Sequence, residues 1–112
     1  MIETKIPVIQ YTIAVKAASY ANAKNATCAI DPATLLLLAN IMVNLIRLLF
    51  TCIKEKSVVK MIRKPGRIQR YLLYREVKKN FPHEQRKAVY EGLLDTCVGL
   101  SEKEAEELVL SV

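Results

Sequence analysis

The chain has 112 residues, a length that corresponds to one domain with one modest hydrophobic core. Hydrophobic residues make up 52% of it and charged residues 25%, while Gly and Pro number only three and four, which excludes disordered, collagen-like and low-complexity chains. The net charge of +6 is concentrated in residues 54–79, where ten lysines and arginines accompany two glutamates. That segment points to a polyanion, an acidic protein surface or a lipid headgroup layer, unless the acidic C-terminal part neutralises it internally.

The N-terminal residues 1–30 are expected to form an arm or a helix, and they lack the features of a signal peptide. Residues 8–15 are rich in β-branched side chains, which also fits a strand. Apolar residues at helical spacing, followed by an alanine-rich stretch, favour a helix over residues 8–24. The residues that share one face of this helix are Ile9, Ile13, Ala17, Tyr20 and Ala21.

A single long helix is predicted over residues 32–63, and it forms the centre of the expected fold. Asp31 provides an N-cap and Pro32 fits the first helical position, while the Pro65-Gly66 pair ends the helix. This helix is apolar almost all round, except for a polar stripe, which we define as Asn40, Asn44 and Arg47. Such a helix is central in a bundle, shared between subunits or embedded in a membrane.

A membrane span over residues 34–53 is the less favoured interpretation of this helix. Its large apolar side chains contribute roughly −4 to −8 kcal/mol to insertion, whereas Arg47 near the middle costs about 2.5 to 3.5 kcal/mol. Each asparagine adds a further penalty. We therefore expect a soluble helix whose polar stripe faces water or lies at an oligomer interface.

Residues 66–112 are predicted to form three short helices. The first covers residues 67–81, with Leu73, Val77 and Phe81 as its core stripe, and the second covers residues 82–97. The third begins at a capping box formed by Ser101 and Glu104. The predicted fold is therefore an all-α helical bundle of four to five helices in one domain, expected to be oligomeric.

The helix over residues 67–81 also carries a cationic and aromatic surface on a different face from its core stripe. We call this surface the basic face; its members are Arg67, Arg70, Tyr71, Tyr74, Arg75 and Lys78. Cations bind phosphates, and aromatic rings stack on unpaired bases, so the pattern fits nucleic-acid binding. The pattern fits equally well an interface in which the two tyrosines pack against protein and the cations meet an acidic partner.

Catalytic and metal-binding chemistry finds little support in the sequence. His83 and Cys97 are the only dyad on one predicted helix, and 14 helical residues separate them by about 21 Å. The three cysteines and the single histidine do not have metal-ligand spacing, and the odd cysteine number favours reduced thiols. We predict that the protein is not an enzyme and uses no cofactor.

One resemblance to known proteins covers residues 31–80. Asp31-Pro-Ala-Thr34 opens a long aliphatic helix, and a basic segment follows that contains Arg70-Tyr-Leu-Leu-Tyr-Arg-Glu-Val-Lys-Lys79. This arrangement resembles small helical proteins encoded among the structural genes of tailed bacteriophages. The resemblance implies a component of a virion or of its assembly, located in the virion or the host cytoplasm.

The sequence therefore predicts a non-enzymatic structural or assembly protein that acts in an oligomer or a larger complex. Its expected partners are further copies of itself or other virion proteins, and its basic region would face nucleic acid or an acidic neighbour. The alternatives are a nucleic-acid-binding module that uses residues 54–79 for non-specific phosphate contacts, and a small single-span membrane protein.

Overall fold

A computed structural model describes residues 6–24, 31–51 and 54–112, and within these ranges the protein contains six α-helices and no strand. The helices are α1 (Val8–Ala23), α2 (Pro32–Phe50), α3 (Glu55–Arg63), α4 (Arg67–Asn80), α5 (His83–Val98) and α6 (Glu102–Leu110). The predicted all-α class is confirmed, and so is the choice of helix over strand for residues 8–15. The predicted number of four to five helices is wrong, because the segment expected to form one long helix contains two.

Four helices form a closed ring around the core. α1 packs against α2 and α5, and α4 packs against the same two helices from the other side. α3 and α6 pair with each other and attach to this ring. The core contains side chains from every helix of the ring; its largest fully buried members include Ile13, Leu38, Ile41, Met42, Ile46, Leu73 and Leu93. The apolar side of α2 is thus covered to a large extent by the chain's own helices.

The contact between α1 and α5 is made by small residues. Ala14, Ala17, Ala18 and Ala21 of α1 are all buried, whereas Tyr20, which the spacing groups on one face with Ala17 and Ala21, is 45% exposed. A Cβ atom added to Gly92 of α5 would lie only 2.8 Å from the backbone oxygen of Ala17. The two helices are therefore too close for a tyrosine to fit between them, which explains why the alanines occupy the contact.

The start of α2 follows the sequence prediction. Asp31 has an extended backbone, and its Oδ1 atom accepts a hydrogen bond of 2.7 Å from the backbone N–H of Thr34. This hydrogen bond lowers the pKa of the Asp31 carboxyl from its usual value. Pro32 occupies the first turn, where its missing N–H leaves no helical hydrogen bond unmade.

The predicted helix over residues 32–63 is wrong, because α2 ends at Phe50 and α3 begins at Glu55. The Thr51 side chain donates a hydrogen bond of 2.6 Å to the carbonyl oxygen of Leu48, and Lys54 has an extended backbone. A hydroxyl that bonds a preceding carbonyl competes with the helical hydrogen-bond pattern. Glu55 then lies in the first turn of α3, where a negative charge is favourable.

Local hydrogen bonds also define where the later helices begin. The backbone N–H of Gly66 donates to Gln69 Oε1 at 2.9 Å at the start of α4. The predicted capping box at α6 is confirmed: Ser101 Oγ accepts from the Glu104 backbone N–H at 3.1 Å, and Glu104 Oε1 accepts from the Ser101 backbone N–H at 3.0 Å. These contacts fix the residues at which α4 and α6 begin.

The first and last helices are joined directly. Gln10 Nε2 donates to Ser111 Oγ at 2.9 Å and to the Ser111 carbonyl oxygen at 3.3 Å. Lys16 and Glu104 form an ion pair of 3.4 Å. Gln10 is buried, so its amide needs these partners to avoid a desolvation cost.

Candidate nucleic-acid interface

The basic face lies on the solvent side of α4. Its six members, Arg67, Arg70, Tyr71, Tyr74, Arg75 and Lys78, are all exposed. The first and last of them are separated by 11 helical positions, which is about 16 Å along the axis. A single helix therefore presents four cations and two aromatic rings in one continuous strip.

The orientation of α4 is determined by its buried side. Leu73 and Val77 are almost completely buried, and Phe81 directly after the helix is buried as well, as the predicted core stripe required. Gln69 is also buried, where its side chain caps the helix start at Gly66. Because these side chains hold one side of α4 against α2 and α5, the basic face cannot turn inward without breaking the core.

The two tyrosines of the basic face differ in their surroundings. Tyr74 packs edge to face against Tyr90 of α5, with ring centroids 5.4 Å apart and an interplanar angle of 84°. This contact gives Tyr74 a structural role, because such aromatic pairs stabilise the packing of neighbouring helices. Tyr71 is 66% exposed and has no ring partner among the described residues. Tyr71 is therefore the ring that is available to stack on a ligand.

The cations of the basic face have no acidic partner within the described part of the chain. Arg70 donates a long hydrogen bond of 3.4 Å from Nε to the Gly66 carbonyl oxygen, which leaves its charge unneutralised. The ion pair within α4 joins Lys79 to Glu76 at 3.3 Å, and Lys79 lies outside the basic face. The basic face thus retains its full positive charge.

The cations of α3 are placed differently from those of α4. Lys56, Lys60 and Arg63 share the wall of one cavity with Glu102 and Glu106 of α6. The Arg63 side chain also donates from Nε to the carbonyl oxygen of Leu100 at 3.2 Å. The acidic C-terminal helix therefore faces the first half of the basic segment 54–79 and leaves the second half exposed.

The polar stripe and the basic face meet, although they lie on separate helices and no sequence pattern connects them. Asn40, Asn44 and Arg47 are all exposed on α2. Asn44 and Arg47 line a cavity of about 330 Å³ between α2 and α4, which we call the α2–α4 groove. The other residues that line it are Leu48, Thr51, Leu72, Arg75, Glu76 and Lys79. Of these other residues, only Arg75 is among the ligand contacts that the sequence predicts.

Of the cysteines considered for catalysis, the one that the structure describes, Cys97, lies in an unsuitable place. Cys97 is buried, with its sulfur 3.8 Å from Met42 Sδ, and burial raises the pKa of this thiol to about 12. A thiol with such a pKa is protonated at neutral pH and is a poor nucleophile. Cys28 and Cys52 lie outside the described residues. Among the described residues, no group of three or more His, Cys, Asp or Glu side chains is placed to hold a metal ion.

The membrane alternative concerns α2, the one described helix that is long and apolar enough to cross a bilayer. The core helix of a soluble protein can be equally long and apolar, and eight α2 side chains are buried against other helices. Their burial gives α2 an apolar environment within the chain itself.

The chain matches no protein-family model, no curated protein and no solved structure. The resemblance to phage structural proteins consequently stays a prediction, and the candidate interface rests on its own geometry and charge.

Proposed function

We propose that this protein is a non-enzymatic structural or assembly protein that binds nucleic acid through the basic face of α4. The observation that carries the proposal is the exposure of all six members of that face, together with the lack of acidic partners for its cations among the described residues. Unneutralised, clustered cations attract a polyanion and release its condensed counterions on binding.

Binding of this kind is electrostatic and indifferent to sequence. The strip of about 16 Å can contact two or three phosphates of one strand at most. The side chains of the basic face contain no asparagine, glutamine or acidic group that would read a base edge, although arginine can do so. We therefore expect modest affinity for one copy, which an oligomer or a larger complex would raise by presenting several basic faces together.

Assembly is the second part of the proposal. Large apolar side chains remain exposed on several helices: Leu48, Ile68, Val98 and Leu110 are between 44% and 69% exposed. Exposed apolar side chains of this kind form protein interfaces when neighbouring copies cover them. Light scattering at increasing protein concentration tests this part, and a monomer at every concentration would argue against self-assembly.

The binding part is tested by neutralising the basic face. The triple variant Arg67→Gln, Arg75→Gln and Lys78→Gln should reduce the slope of log affinity against log salt by roughly two to three units on duplex DNA, at about 0.9 for each phosphate that the protein no longer neutralises. Filter binding of the protein to labelled duplex and single strands at several salt concentrations measures this slope.

The matched control removes three positive charges from residues 54–60, which lie outside the basic face. The triple variant Lys54→Gln, Lys56→Gln and Lys60→Gln has the same net charge as the first variant but keeps the basic face intact. Its salt slope should change by less than about one unit. Equal slopes for the two variants would show that only net charge matters. A lack of binding by the wild type at low salt would contradict the proposal and leave an acidic protein as the partner of the basic face.

A further inference from the structure

The α2–α4 groove has a composition that phosphate binding alone does not require. Arg47 of α2 and Arg75 of α4 line it together with Leu48 and Leu72. Its volume of about 330 Å³ lies at the lower end of the range of small-molecule sites, which is roughly 300–1,000 Å³. The groove is therefore a concave, partly apolar site at the edge of a convex, cationic surface.

The charge in the groove is positive after its internal pair is accounted for. Glu76 is 7% exposed and pairs with Lys79 at 3.3 Å, so these two charges offset each other. Arg47 and Arg75 have no acidic partner among the described residues. Two arginines from different helices are thus left to bind an anion, and the planar guanidinium group is well suited to phosphate oxygens.

The apolar side chains of the groove indicate what accompanies the anion. Leu48 is 44% exposed and Leu72 is half-buried, so both retain surface that a ligand can cover. The bases of a duplex are stacked on one another and cannot lay a face on a leucine. The bases of a single strand can turn out of the strand and pack against protein side chains.

We infer that the α2–α4 groove holds one nucleotide of a single strand, with its phosphate on Arg47 and Arg75 and its base against Leu48 and Leu72. This inference rests on the proposed function, because the rest of the strand would lie on the basic face of α4. Arg75 belongs to both surfaces and connects them. The consequence is a preference of the protein for single strands over duplex.

Arg47 provides the decisive variant, since it lies on α2 and outside the basic face. Fluorescence anisotropy of a labelled single-stranded oligonucleotide and of the duplex of the same length measures both affinities. Arg47→Gln should weaken single-strand binding by about tenfold and should lower the salt slope by about 0.7, the value for one phosphate of a single strand. Duplex binding should change less than about twofold. Lys56→Gln on α3, which removes the same charge, is the control and should leave the strand preference unchanged.

Two further variants separate a ligand contact from a structural effect. Leu48→Ala should weaken single-strand binding and leave duplex binding unchanged. Glu76→Gln removes the negative charge from the groove with almost no change in shape and should tighten single-strand binding several-fold, a gain that damage to the fold would not produce. Urea unfolding of each variant accompanies the titrations.

The results distinguish this inference from the proposed function. If Arg47→Gln changes neither affinity while neutralisation of the basic face abolishes binding, the inference is wrong and the proposed function stands. If Arg47→Gln weakens single-strand and duplex binding equally, the groove contributes charge alone and the inference is again wrong. If the wild type binds neither probe at low salt, the proposed function fails and the inference fails with it.

Discussion

The two sides of the helical ring are built in opposite ways. Where α1 meets α5, alanines face Gly92 and the backbones approach until no further side-chain atom fits. Where α2 meets α4, leucines and long polar side chains leave a groove of about 330 Å³. The charges differ as well: Lys24 at the end of α1 pairs with Asp95 at 3.3 Å and with Glu91 at 3.5 Å, while Arg47 and Arg75 have no acidic partner among the described residues.

The difference shows how side-chain size and charge pairing determine which helix contact of a small fold is tight and which leaves a groove. Small residues let two helices close on each other and exclude any ligand, and opposite charges at the rim hold that contact. Larger residues and unneutralised arginines keep the other side open to solvent.

The largest expected effect tests whether α2 truly has a packed side and an open side. Leu45 is 3% exposed, and Leu45→Asp should lower the free energy of unfolding by about 3 kcal/mol or more, because it removes a core side chain and buries a carboxyl without a partner. Asn44→Asp, one position earlier on the exposed stripe, should change it by less than about 0.5 kcal/mol. Urea denaturation of both variants measures the difference. Equal losses would mean that the groove side of α2 is buried in the folded protein.

The next prediction concerns the close contact between α1 and α5, which we call the closed side of the ring. Gly92→Ala places a Cβ atom 2.8 Å from the Ala17 backbone oxygen and 3.1 Å from the Ala21 nitrogen, so α1 has to move away. We expect a loss of about 1–3 kcal/mol despite the better helix propensity of alanine. Asn40→Ala on the exposed stripe of α2 is the control and should leave the stability unchanged or slightly higher. A stable Gly92→Ala variant with an unchanged melting temperature would show that α1 and α5 are not in such close contact.

A smaller effect is expected at the start of α2, the helix that contacts α1 on one side and forms the groove on the other. Asp31→Asn keeps a capping side chain but removes the charge, so it should lower stability modestly at neutral pH. The hydrogen bond from Thr34 lowers the pKa of Asp31 below 3.8, so its charge stabilises the fold above pH 3.8, and this contribution is lost as the pH falls below that value.

Thermal melts of the wild type and Asp31→Asn over a series of acidic buffers check this pH dependence. The difference in melting temperature between the two proteins should shrink towards zero below pH 3.8. A difference that stays constant into strongly acidic buffer would mean that the Asp31 charge does not contribute.

The smallest expected effect concerns the ion pairs at the rim of the closed side. The hydrogen bond and charge of Asp95, followed by the charge of Glu91, raise the pKa of Lys24 above 10.5. Lys24 therefore stabilises the fold below pH 10.5, and this contribution is lost as the pH rises through the higher pKa of the folded state. Lys24→Gln should cause a slight loss of stability that disappears in high salt, because exposed ion pairs are weak and screened.

The matched change on the open side is Lys78→Gln, which removes a cation that has no acidic partner among the described residues. Melts at low and high salt compare the two variants. Lys78→Gln should leave the stability unchanged at both salt concentrations, and a loss equal to that of Lys24→Gln would indicate an ion pair at Lys78 in solution.

Much of the fold could be predicted because its signals are local. Asp31 with Pro32, and Ser101 with Glu104, combine a cap and a first turn within four residues, and the structure contains both. The end of α2 could not be predicted in this way. The chain has neither Gly nor Pro between Phe50 and Glu55, and its apolar residues continue at helical spacing, so the pattern predicts a helix that Lys54 in fact interrupts.

The candidate site could be predicted only in part, for a related reason. The exposed side of α4 follows from the spacing of its own residues. The proximity of Arg47 and Arg75 depends instead on the packing of α2 against α4, which no spacing within one helix reveals. The exposure of Tyr20 could not be predicted for the same reason, since only the approach of α5 makes alanine preferable to tyrosine at the contact.

The bond between Gln10 and Ser111 has a consequence for the order in which the fold can form on the ribosome. Its two residues are 101 positions apart, and α1 is covered by α2 and also by α5 and α6, which are synthesised after the other helices described here. The alanine side of α1 therefore stays uncovered until α5 has been synthesised, and the ring can close only when α5 has left the exit tunnel. Contacts between such distant parts of a chain slow folding, so a chaperone or a neighbouring copy can bind the alanine side of α1 until α5 covers it.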